Sequence, residues 1–323
     1  MSLCTSTFSI VALDPETGDL GVAVASHYFS VGSVVPWAEA TVGALATQAN
    51  VNVGYGPRGL ELLRQGLTPR EVLERLLEED PFDQKDARQL VIIDVQGRVA
   101  AYTGAVAPSW CGDQQGAFWS VQGNFLAGSQ VLDAMGKAFE TSAGELPERL
   151  YAALIAGDDA GGDYRGRRSA SILVVRKQGG RNINNDRYVY LNVDDHPEPL
   201  IELKRLLHLN LYYIQRDRGF KLLKAGGFSQ AKIAFEMADK YCAGMFDVQV
   251  GLALAQYLSD EKRAAIERLR AANLIGRRSD EQWHVLGQLL PEHACTLRDL
   301  QKLARQGDTC GQDADVLKSI FRA

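Results

Sequence analysis

Residues 8–26 read FSIVALDPETGDLGVAVAS, two apolar, β-rich runs separated by Asp14-Pro15-Glu16-Thr17-Gly18. Turn residues between two such runs specify a hairpin, and so neighbouring antiparallel strands. LVIIDVQGRVAAYTG, residues 90–104, repeats the pattern around Gln96-Gly97. VGALATQA, FWSVQGN, SASILVV and RYVYLNV add further short strands up to about Asn192. Helices interrupt them in two places. TPREVLERLLEED (68–80) opens with Thr68 as N-cap, Pro69 at N1 and Glu71 at N3, a capping box, and has an apolar face of Val72, Leu73, Leu76 and Leu77. GSQVLDAMGKAFE and ELPERLYAALIAG, residues 128–140 and 145–157, read as an amphipathic pair. Hairpins with paired helices predict an α+β layered domain, and no GxGxxG follows a strand as a dinucleotide-binding sheet would require.

At 323 residues the chain predicts two domains, placed at 1–198 and 199–323 with the hinge NVDDHPEPLIEL between their patterns. Hydrophobic content of 46% with 23% charged residues is that of a folded chain. A net charge of -5 and no Lys or Arg before Arg58 argue against a nucleic-acid partner. No apolar run nears the ~20 residues that cross a bilayer, and no basic n-region of an export signal is present. The cysteines, Cys4, Cys111, Cys242, Cys295 and Cys310, are odd in number and never paired as CxxC, which fits reduced thiols. A cytoplasmic protein without membrane contact is expected.

Beyond the hinge, helical periodicity takes over. Gly219, Ala253 and Gly287 are 34 residues apart, and Ala231, Phe235 and Ala238 recur 34 later as Ala265, Leu269 and Ala272. Trp283 to Gly287, WHVLG, has the W-x-x-L-G opening of a tetratricopeptide unit. The tail over residues 212–306 resembles a tetratricopeptide array, in which small residues let paired helices approach while aromatics fill the gaps. Such an array implies a protein partner.

Chemistry is expected at the front. A Ser or Thr hydroxyl needs a base before it can attack, and the residue's own α-amine, titrating near ~7.7–8.0, is one when the nucleophile begins the chain. Cys4, Thr5, Ser6 and Thr7 lie a few residues from Met1. Other candidates follow along the chain. His27 follows the second strand. Asn50, Asn52, Tyr55 and Arg58 stand at a strand-to-helix turn with Pro57 at N1, where Arg58 could bind an anion. SVQGNF reads as a strand entering a glycine turn, so the N–H groups of Gln122, Gly123 and Asn124 could form an oxyanion site, or Asn124 could cap the next helix. GGDYRGRRSAS gathers Asp163, Arg165, Arg168 and Ser169 before a buried strand, suited to orienting a base or clamping a carboxylate. Asp194-Asp195-His196 has the chemistry of metal ligands, but a hinge before Pro197 explains it, and no metal or cofactor is expected.

TFSIVALDPETGDLGVAVASHYFSVGSVVPWA, TQANVNVGYGPRGLELL, SVQGNFLAGSQVLDAM and AGGDYRGRRSASILVV, in this order over residues 7–200, resemble the family called domain of unknown function 1028. That family is placed among the N-terminal-nucleophile (Ntn) hydrolases. The resemblance implies a four-layer α-β-β-α sandwich, followed here by the all-α tetratricopeptide-like domain, and an oligomer. Members open on Met-Thr-Phe-Ser-Ile, which puts the nucleophile on Thr7; here the Ser6–Thr7 bond must be cut to free its amine. Cys4 is the alternative nucleophile, although the strand face shared by Thr7, Ser9 and Val11 leaves it off the expected geometry. SVGSVVPWAEATVG lacks the Lys that proteasome-like members carry, leaving Arg58 or Arg165 to supply positive charge. The resemblance implies hydrolysis of an amide bond in a small molecule or peptide, with Thr7, Asn124, Asp163 and Arg165 catalytic and His27, Asn50, Arg58 and Ser169 binding substrate. The other reading keeps the fold without chemistry, as a ligand-binding protein whose helical tail recruits a partner.

Overall fold

In the computed structural model, which describes residues 7–80, 85–105, 110–272 and 280–305, the hairpin read from residues 8–26 forms as β1 (Thr7–Leu13) and β2 (Leu20–Ser26). They pair antiparallel with Thr7 opposite Ser26 and Leu13 opposite Leu20. Gly18 takes a positive φ of 75° at the turn, a conformation that glycine adopts without a Cβ clash. The chain folds as two units, Met1–Leu207 and His208–Ala323.

The first unit is mixed α/β with two antiparallel sheets. One has six strands in the order β10-β9-β2-β1-β8-β7, adding β7 (Trp110–Gly116), β8 (Trp119–Leu126), β9 (Ser169–Val175) and β10 (Arg187–Val193). The other has four in sequence order, β3 (Pro36–Glu39), β4 (Gly43–Ala49), β5 (Arg88–Asp94) and β6 (Val99–Thr103). Both strands of the first hairpin are buried along their whole length, so neither carries a charged, solvent-facing stripe. Alternation sorts the two faces. Val11, Leu13, Leu20, Val22 and Val24 join Ala44, Ala46, Val91 and Ile93 in one core between the sheets. Phe8, Ile10 and Ala12 point the other way. That face carries α3 (Gln130–Thr141) and α4 (Leu146–Asp159).

The outer face of the four-stranded sheet, through Leu45, Leu90 and Ile92, packs on α1 (Tyr55–Arg64) and α2 (Pro69–Glu78). Here the capping box forms as expected, with Glu71 N–H donating to Thr68 Oγ1 and Thr68 N–H donating to Glu71 Oε2 at 2.7 Å. Pro57 falls at the third residue of α1 rather than the first, because the helix begins at Tyr55. Two strands lack a signature in the sequence. β3 is four residues long, and β7, WCGDQQG, is a partly exposed edge with no apolar stripe.

In the second unit the helices are the end of α5 (Pro199–Lys224), then α6 (Phe228–Tyr241), α7 (Phe246–Leu258), α8 (Lys262–Ala271), α9 (Asp280–Leu289) and α10 (Ala294–Arg305). Phe235 of α6 is fully buried, and a Cβ at either Gly219 or Gly251 would lie 2.6 Å from its ring. Glycine on α5 and α7 thus lets an aromatic from α6 fill the space between helices. Ala231, Ala238, Ala265 and Leu269 are also fully buried, whereas no described atom approaches the Cβ position of Gly287 within 4 Å. No described helix is long and apolar enough to cross a membrane.

Candidate functional site

The core between the sheets changes character along the strands. Its far end is hydrocarbon. At the end where β1 starts, the same inward face carries two polar rows, Ser169–Ser26–Thr7–Asn124 and then Ser171–Val24–Ser9–Gln122, running across β9, β2, β1 and β8. Gln48 and Gln89, cross-strand partners on β4 and β5, continue the inward series Ala44, Ala46, Gln48 and Gln89, Val91, Ile93 of the other sheet. All these side chains are fully buried, and none is ionisable.

Hydrogen bonds join them. Thr7 Oγ1 lies 3.2 Å from Ser26 Oγ, and Ser26 Oγ accepts from Tyr28 N–H at 2.9 Å. Ser9 donates to Gln48 Oε1 at 2.7 Å, while Gln48 Nε2 and Asn124 Nδ2 donate to Gln89 Oε1 at 2.8 and 2.9 Å. Gln89 Nε2 is shared among Thr103 Oγ1 and the carbonyls of Gly112 and Gly123. Phe125 and Ala49, which follow Asn124 and Gln48, have positive φ values of 55° and 63°. Left-handed backbone at non-glycine residues costs about 1–3 kcal/mol and clusters at functional sites.

Of the residues singled out in the sequence, Thr7 and Asn124 meet as direct cross-strand partners. The N–H groups of Gln122, Gly123 and Asn124 are not a glycine turn. They belong to β8, which pairs with β1 and β7 and runs on to Leu126; α3 begins only at Gln130, so Asn124 caps no helix. An oxyanion site there would have to come from side chains. Ser169 stands in the first row, but its hydroxyl donates to Tyr28 O and accepts from Val31 N–H, which fixes the turn after β2. Asp163 reaches the end of β8 by a bridge to Leu126. It is buried and accepts from Arg165 N–H at 3.0 Å, and the Arg165 guanidinium lies 3.9 Å from the centre of the Phe125 ring.

Other candidates have different duties. Arg58 is paired with Glu61 and Glu79, each at 3.0 Å, and these carboxylates hold its guanidinium above its ordinary range, so no free cation is offered to an anion. Asn50 contributes its backbone, donating to Ala87 O and accepting from Arg88, whose guanidinium is buried against Asp80. His27 is exposed, one residue beyond Ser26. Asp194 accepts from Ser30, Asp195 pairs with Arg168, and His196 Nδ1 accepts from Glu198 N–H, and the first two contacts tie this segment to the rest of the first unit. Cys4 lies outside the described residues. Sequence reasoning missed Gln48 and Gln89. Their signal was present as amides at inward positions of otherwise apolar strands.

Two facing antiparallel sheets with a buried, uncharged polar end define an α/β protein whose candidate site opens its first strand. Residues 7–203 match the family of unknown function DUF1028, and the chain belongs to that family. A solved structure, protein SPO2555 from Silicibacter pomeroyi, described with the same family model, is similar at 35% identity over 62% of this chain and 84% of that one, with a TM-score of 0.57. The comparison with curated proteins gave no match.

Proposed function

We propose that the first unit is an amide hydrolase of the N-terminal-nucleophile type. In this reading α3 and α4, the six-stranded sheet, the four-stranded sheet, and α1 and α2 are the layers of an α-β-β-α sandwich. Thr7 acts once the Ser6–Thr7 bond is cut. The observation that carries the reading is the position of Thr7: first residue of a central strand, at the polar end of the space between the sheets, 3.2 Å from a second hydroxyl.

Thr7 Oγ1 attacks the substrate carbonyl carbon and its proton passes to the freed α-amine of the same residue. The C–O bond forms, the carbonyl electrons move to oxygen, and the Ser26 hydroxyl donates to that oxyanion. Collapse breaks the C–N bond as the ammonium returns its proton to the leaving nitrogen. Water then attacks the ester with the amine as base, releasing the acid and restoring Thr7. An α-amine ordinarily titrates near ~7.7–8.0, so an unprotonated fraction able to act as base is present near neutrality. Asp163 and Arg165, beyond the end of β8, orient the substrate in this reading.

The test is turnover by protein prepared to begin at Thr7, against a panel of amides with a chromogenic amine leaving group. Thr7→Ala should abolish turnover and Thr7→Ser should retain part of it. Equal turnover in the Ala variant would falsify the reading.

A second reading, without chemistry in the sheets, draws on the helical unit. We read α5 with α6, α7 with α8 and α9 with α10 as tetratricopeptide-like hairpins. A groove of about 980 Å³ there, lined by Tyr212, Tyr213, Phe220, Phe246, Val285 and Leu289 among others, suits a protein segment. Val285 and Leu289 are exposed apolar residues, the kind of surface a partner covers.

A further inference from the structure

The buried polar cluster has a direction, and backbone carbonyls fix it. Gln89 Nε2 lies 2.9 Å from Gly123 O and 3.2 Å from Gly112 O. A carbonyl only accepts, so the Gln89 nitrogen must point at these atoms and its oxygen must face Gln48 and Asn124. That oxygen can only accept as well. Gln48 Nε2 and Asn124 Nδ2 therefore donate to it, and Gln48 Oε1 takes the Ser9 proton. Separately, Ala46 O at 3.1 Å fixes the nitrogen of Gln122. With every amide oriented, Asn124 Oδ1 and Gln122 Oε1 remain buried without a hydrogen-bond partner among the described residues.

Both orphans are acceptors. An unpaired buried acceptor costs about 1–3 kcal/mol, so two within a connected network call for donors from outside it. Asn124 lies opposite Thr7, and Gln122, one same-face row deeper, lies opposite Ser9. A donor on Asn124 is thus brought to the strand position facing the Thr7 hydroxyl.

We propose that Asn124 Oδ1 and Gln122 Oε1 receive the N–H groups of a neutral carboxamide, so that the site selects amides over carboxylates and charged amines. A carboxylate would set further acceptors against these oxygens. An ammonium would bring a charge into two rows that hold no ionisable side chain, which costs several kcal/mol. A primary carboxamide supplies two N–H donors, and its carbonyl is then left for the hydroxyl pair of Thr7 and Ser26. The placement of a scissile bond rests on the hydrolase reading, whereas the binding preference does not.

The experiment is calorimetric titration of the chain beginning at position 7 and carrying Thr7→Ala, with butyramide, butyrate and butylammonium as ligands of matched length. Butyramide should bind at least 10-fold more tightly than the other two. Gln122→Met, which keeps side-chain length but removes the acceptor, should erase that preference. Gln122→Glu should shift it toward butylammonium. Equal affinity for the three ligands, or no binding of butyramide, overturns the proposal on the unaltered Gln122 and Asn124, whatever the variants do. Butyramide binding without amide turnover by the Thr7 form would sink the hydrolase reading and leave this one intact; turnover without an amide preference would do the reverse.

Discussion

Gln89 holds the polar cluster together, although nothing about it looks functional in the run RQLVIID. It accepts from Gln48 and Asn124 and donates toward Thr103, Gly112 and Gly123. Gln89→Leu leaves two buried donors, Gln48 Nε2 and Asn124 Nδ2, without their acceptor, each costing about 1–3 kcal/mol. A loss of more than about 3 kcal/mol in urea unfolding is expected, and a loss under 1 kcal/mol would show the network to be slack. That Thr7, Ser9 and Val11 share one strand face was legible in the period of two, whereas the choice of Thr7 as nucleophile came from the family resemblance. Gln89 was not legible, because a single amide among apolar residues reads equally well as a strand end in water; only the second sheet across from it reveals a buried hub. In the proposed hydrolase, the freed Thr7 amine also sets a pH dependence. As a base it works unprotonated, so activity should rise with pH through the amine pKa, ordinarily ~7.7–8.0. A rate that stays flat from pH 5 to 9 would rule the amine out.

Elements were legible wherever local chemistry sets them. The capping box of α2 formed as spaced, so Thr68→Ala should cost about 1 kcal/mol by denaturant unfolding. The Thr68 backbone N–H, and then its hydroxyl, hold the Glu71 carboxyl below its ordinary range. Its contribution is therefore fully present above the unfolded Glu pKa and is lost as pH falls through the lowered folded value. Glu71→Gln should be less stable than the parent at pH 7, with the gap closing below about pH 4; a gap independent of pH would contradict this. Close packing is a different matter. A Cβ at Gly56 would overlap the Trp37 ring, so Gly56→Ala should cost about 1–3 kcal/mol, yet the sequence offers Gly56 only as part of a helix start. β7 escaped notice for a related reason, since an edge strand with one wet face has little apolar pattern to show.

At the scale of the molecule, the change from strand to helix period after the hinge foretold a β-rich front and a helical rear. The family match ends at residue 203, close to the end of the first unit at Leu207. Residues 7–207 should therefore unfold as one cooperative transition and keep the turnover of the chain that begins at Thr7. A folded fragment without turnover would bring the helical unit into the chemistry. What the sequence could not supply was the polarity of the space between the sheets, because that depends on which strands of different sheets face each other.

The most direct test of Thr7 as nucleophile is peptide mapping by mass spectrometry of the protein, expressed without added residues, after reaction with a β-lactone electrophile. A single acyl adduct on a peptide that begins at Thr7 is predicted. An adduct on Cys4, or an unlabelled chain still joined through Ser6–Thr7, would contradict the account.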